Sequence, residues 1–123
     1  MARPNHEDAT LMVQLAQWWS ASGGAAAEGW MWSDDFTPDY AEFKMKFPAG
    51  SGGFGKASTI LNWYETIGTL YKHGLLNEEL LFDWLAVDFD WDRIKGIALG
   101  WREQTGVAEM YENFEAMAKA QKG

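Results

Sequence analysis

Residues 50–57 read GSGGFGKA, a stretch whose glycine spacing belongs to phosphate chemistry. Gly50, Gly52 and Gly55 satisfy GxGxxG, and Gly50 through Lys56 satisfy the GxxxxGK phosphate loop except for its closing Ser or Thr, a place held by Ala57. Both motifs work by aiming backbone N–H groups at phosphate oxygens from the start of a helix, with a buried strand delivering the chain into the loop. The helix is legible here and the strand is not. Ala57 lacks the hydroxyl that ligates magnesium, and no later strand ends in an acid that holds the metal or a ribose. The match is therefore read as a Gly-rich connector over 49–55, and the only chemistry left to it is anion binding by Gly53, Gly55 and Lys56 ahead of a helix.

Asp88, Asp90 and Asp92 open with the spacing of a calcium loop, but Arg93 and Leu99 stand where its glycine and closing glutamate belong. Asp90 reads instead as a helix N-cap, with Asp92 near that helix's positive end. His6 and His73 have no metal-ligand spacing, and His73 most simply meets the last carbonyls of its own helix. Glu65, His73, Tyr64 and Arg102 form an acid–base set only in a fold that gathers them. The chain has no cysteine, hence no thiolate nucleophile, disulfide or thiolate metal site. No catalytic residue, metal or cofactor is assigned, and the reading leans away from an enzyme.

A net charge of −8, from 18 acidic against 10 basic side chains, opposes contact with phosphate backbones. Direct nucleic-acid binding is not expected, although an acidic surface can imitate nucleic acid toward a basic partner. The N-terminus mixes charge into its first ten residues and offers no continuous apolar run, so neither a signal peptide nor a membrane contact is expected. The expected location is cytoplasmic.

The elements that would position any site are helices. Leu11, Met12, Leu15, Trp18 and Trp19 stripe one face before Gly23 and Gly24, and AAAEGWMW continues for a turn or two. Over 40–47 two periods compete: Phe36, Tyr40, Phe43 and Phe47 favour a helix capped by Thr37 with Pro38 first, while Phe43, Met45 and Phe47 alternate as in a strand. Ile60, Tyr64, Ile67 and Tyr71 mark the next helix. Gly74 ends it and Asn77 starts another, a tight helical hairpin. Trp91, Ile94, Ile97, Ala98 and Trp101 carry the following face, where Gly96 and Gly100 imply close approach of a second element. A last helix is expected from Val107 to Lys119. With three valines and four isoleucines, none in a run, no parallel sheet is available. The expectation is one all-α domain over 1–123, a bundle of five to six short helices.

The stretch NWYETIGTLYKHGLLNEELLFDWL, then Trp91, WRE at 101–103 and YENFEAMA at 111–118, resembles a bacterial family of small all-helical domains of unknown function, over about residues 34–120. Some members carry a membrane helix ahead of the domain, and none is read here. The resemblance implies a helical fold and supplies no catalytic residue.

Eight tryptophans are many for 123 residues, and each needs a large apolar niche or a partner surface. Two function classes follow. The first is a non-enzymatic interaction module, binding a protein partner or itself through Trp18, Trp19, Trp30 and Trp32. The second is a small-molecule sensor or enzyme with a pocket between helices lined by Trp63, Tyr64, Trp84 and Trp101.

Overall fold

A computed structural model describes residues 3–123, and those residues form seven helices and no strand. They are α1 (His6–Ala21), α2 (Gly24–Met31), α3 (Tyr40–Lys46), α4 (Gly52–Lys72), α5 (Glu78–Trp84), α6 (Val87–Thr105) and α7 (Glu112–Lys122). The all-α expectation holds, with seven helices in place of five to six because AAAEGWMW and 40–46 each fold as an element of their own. No helix among the described residues is long and apolar enough to cross a membrane.

Four boundaries differ from the sequence reading, two of them because a different side chain caps the helix. α3 starts after Asp39, whose carboxylate accepts the Glu42 N–H at 3.0 Å, while Thr37 bonds Glu42 from outside the helix. α4 already begins at Gly52, because the Ser51 hydroxyl accepts the Phe54 N–H. Gly52, Gly53 and Gly55 are thus first-turn residues, and the connector shrinks to 47–51. α6 begins at Val87 after Ala86, so Asp90 lies inside the helix and is buried rather than capping it. α7 starts at Glu112; Val107 precedes it in a turn and is exposed.

α4 is the central strut, packed between α2 and α7, with α6 closing on α7 and α3. Ile60, Leu61, Trp63, Tyr64 and Ile67 of α4 meet Ile94, Ile97, Phe114 and Met117 in one buried cluster. Close approach is set by glycines. A Cβ on Gly68 would stand 2.6 Å from the Asn113 carbonyl carbon, and one on Gly96 would stand 2.2 Å from the Pro38 oxygen. The helical pair Gly96 and Gly100 therefore seats the Pro38–Tyr40 segment against α6.

At the same α4–α7 crossing, Glu65 reaches across to accept the Asn113 and Phe114 N–H groups at 3.0 and 2.9 Å. α7 needs this because its own cap position is Tyr111, left-handed at φ 60 and without a capping side chain. Gly68→Ala pushes a methyl into that backbone, which cannot swing aside, so a loss of about 1–3 kcal/mol is expected despite alanine's better helix propensity. Gly29→Ala, with nothing within 4 Å of its new Cβ, is expected to gain up to about 1 kcal/mol. Urea denaturation of the two variants tests the contrast, and the same sign for both refutes it.

Candidate functional site

Asp90 stands on the apolar stripe of α6, between Val87 and Ile94, and is only 5% exposed. A carboxylate there must find donors. Tyr64 of α4 donates its hydroxyl to Oδ2 at 2.6 Å, and the Trp32 indole N–H reaches Oδ1 at 3.2 Å. Tyr64 is fixed by stacking on Phe114, centroids 4.4 Å apart and 10° from parallel. The carboxyl of Glu28 on α2 lines the same cavity beside Asp90.

A carboxyl set beside a buried carboxylate holds its proton more readily. Burial first, then Asp90 as hydrogen-bond partner and as like charge, push the Glu28 carboxyl up to about 7. Tyr64 is pushed up as well, by burial and then by Asp90, and so stays a phenol that donates.

Beside this pair lies a cavity of about 280 Å³, walled by Trp19, Trp63, Tyr64 and Trp84 and closed by Ala16 and Leu85. Trp63 is locked by its indole N–H on the Leu15 carbonyl at 3.0 Å, with Trp84 edge-on to it at 5.9 Å. Trp19 lies on Trp63 at 4.5 Å and over Gly24, where any Cβ would enter the ring. A four-ring wall with two acids at one side can exchange a proton or face a positive charge.

The structure brings together three of the four pocket residues read from the sequence, Trp63, Tyr64 and Trp84. Trp101 lines a separate cavity of about 370 Å³ with Phe43, Phe47, Phe54 and Tyr111. That cavity is larger but mostly apolar, and its polar groups include Lys44 and Gln104, both exposed, the latter accepting the Tyr40 hydroxyl. Of the partner-surface residues, Trp18 and Trp32 are 40% and 50% exposed. Trp19 is half-buried in the cleft wall. Trp30 is a correction: it is buried, edge-on to Phe36 and Phe47 at 5.1 and 5.3 Å, because α2 turns it into the core.

The anion residues are engaged within the fold. Gly53 lies under the Phe47 ring, Gly55 N–H donates to the Ser51 carbonyl, and Lys56 stands 5.8 Å over Trp30. Glu65, His73, Tyr64 and Arg102 are not gathered: Glu65 caps α7, Arg102 bonds Met110 and Glu115, and His73 is an exposed helix end. Among the described residues, no three His, Cys, Asp or Glu converge as metal ligands. Glu28 and Asp90 were missed by the sequence reading, yet both interrupt an apolar stripe, Asp90 between Val87 and Ile94 and Glu28 beside Ala27 and Met31.

Two outcomes are expected. Tyr64→Phe strips Asp90 of its shortest donor and costs about 1–3 kcal/mol. Glu28 binds its proton more tightly folded than unfolded, from the ordinary 4.5 up to about 7, so the native protein loses stability as pH rises through that window and levels off above it. Glu28→Gln keeps a donor toward Asp90 and removes the titration. Its stability relative to the parent is expected to grow by about 1 kcal/mol between about pH 5 and pH 8, less than the full shift implies because Glu28 is partly in water. Urea unfolding at both pH values measures the difference, and a constant difference refutes the raised titration of Glu28.

No curated protein and no solved structure matches this chain. A family model does, across residues 6–121, which adds α1 and α2 to the region of resemblance and takes in every wall of the cleft. Its description is a domain of unknown function, DUF4760. The chain belongs to that family.

Proposed function

We propose that this chain acts as one ligand-binding domain, whose site is the cleft between α1, α2, α4 and the α5–α6 junction. The observation that supports it is the pairing of an open, ring-walled cavity with two acids, Asp90 buried and Glu28 half-buried, and no basic side chain in its lining. A tryptophan-rich core built for stability alone is expected to close such space and exclude such charge. Binding sites keep both, an apolar body with a few polar groups at one end.

A second reading, an interaction module that binds a protein partner or itself, draws on Trp18 and Trp32, which keep 40% and 50% of their surface in water. Their exposure is compatible with a contact surface.

The test is a fragment screen read by melting temperature and by indole N–H resonances. Binding at ten times Kd adds about 1.4 kcal/mol, roughly 4–8 °C for a domain of this size. Hits are expected to move the Trp63 and Trp84 indoles and to be lost in Trp84→Ala. Hits confined to Trp101, or none at all, overturn the cleft assignment. A change of association state in Trp18→Ser with Trp32→Ser, measured by native mass spectrometry, would favour the interaction module.

A further inference from the structure

The geometry points to an organic ammonium ion as the ligand of this cleft: a protonated amine whose apolar body lies among Trp19, Trp63 and Trp84, with its N–H groups on Glu28 and Asp90. The inference rests on the cleft being the binding site. It goes further by fixing the charge of what binds.

The electrostatics are one-sided. α1 presents Ala16 and Trp19, α4 presents Trp63 and Tyr64, and the α5–α6 junction presents Trp84, Leu85 and Ala86. None carries positive charge. The titratable groups facing Glu28 are Asp90 and the Tyr64 phenol, both of which oppose a negative charge on it. Arg93, one turn after Asp90, is turned away. Its guanidinium bonds the Met31 and Ser33 carbonyls at 2.8 and 3.3 Å and lies over the Trp32 and Phe36 rings. The pair therefore has only its proton as a counter-charge. An ammonium group offers a full charge with several donors in its place, and indole faces are the aromatic surfaces that attract cations most strongly. An anionic ligand would meet two acids and no base. A neutral one would leave the acid pair as it is and gain only the rings.

The exchange balances. The ammonium ion enters, the Glu28 O–H bond breaks, the proton leaves to the buffer, and the ammonium N–H groups bond both carboxylates. Binding of the cation is then coupled to release of up to one proton, most fully below pH 7, where Glu28 still holds it.

Three probes of one shape separate charge from apolar fit: 2-phenylethylamine, 2-phenylethanol and phenylacetate, each titrated to about 10 mM, above the millimolar Kd expected for a fragment of this size. Indole resonances report the place, and calorimetry in buffers of different ionisation enthalpy reports the proton. The amine is expected to move the Trp63 and Trp84 indoles and to bind at least tenfold tighter than the alcohol. About one proton should be released at about pH 6 and almost none at about pH 8.5. Glu28→Gln should weaken the amine about tenfold, more than it weakens the alcohol, and abolish proton release. Alcohol or phenylacetate binding as tightly as the amine at those indoles overturns the ammonium assignment while leaving the cleft as a ligand site. Amine binding without proton release at pH 6, or no response to the amine, overturns it too. Only a screen in which no fragment reaches those indoles removes the cleft itself.

Discussion

An acid buried in an apolar helix face is the constraint around which this fold is arranged. Asp90 is 5% exposed on the side of α6 that faces the core, and a carboxylate in that position is tolerable only with donors close on every side. The donors come from elements far apart in sequence. Tyr64 comes from α4 and Trp32 from the end of α2. Satisfying one side chain thus fixes how α2, α4 and α6 meet. The position of Tyr64 in turn depends on Phe114 of α7, which stacks against it.

The same logic of distant satisfaction recurs at the helix ends. α6 and α7 begin after Ala86 and Tyr111, neither of which supplies a capping side chain. Glu65 of α4 takes the first N–H groups of α7, and Gln121 of α7 accepts the Asp88 N–H at 3.0 Å while donating to the Leu85 carbonyl at 2.7 Å. Arg93 and Arg102 do the converse. Each places a guanidinium on carbonyls, of the α2 end and of the turn before α7 respectively. Exposed helix termini need only water, so these long-range caps matter where ends are tucked against neighbours. They tie the order of packing to the local start of each helix.

These cross-chain caps explain which parts of the architecture can be read from the sequence. The α4–α5 hairpin was legible because its signals are local: Gly74 at φ 71, then Asn77 accepting the Leu80 N–H at 3.0 Å. The apolar stripe of α6 was legible for the same reason, as was the close approach at Gly96, which the Pro38 carbonyl occupies. The start of α7 was not legible, since Glu65 lies 48 residues from Asn113 and no spacing announces it. Asp90 was misread for a related reason. An aspartate near a helix start favours a cap on propensity alone, and only its register with Val87 and Ile94 shows that it must point inward. At the cleft, aromatic content told that Trp63, Tyr64 and Trp84 needed niches, and it could not tell that a pair of acids shared theirs.

The acid pair also bears on why the cleft exists. Replacing a buried charged group and its partners by apolar side chains of similar volume is commonly neutral or stabilising. This chain has aromatic material to spare for such a closure: Trp30, Phe36, Phe43 and Phe47 form a tight aromatic cluster, mostly edge-to-face, elsewhere in the same core. Leaving Trp19, Trp63 and Trp84 around open space, with Glu28 holding a proton that bulk water would take from it, is the arrangement that packing alone disfavours. Departures from the most stable packing concentrate where a protein binds something, because the binding partner supplies the missing contact or charge. The acids Glu28 and Asp90 and the cavity beside them stand together in this exception to close packing.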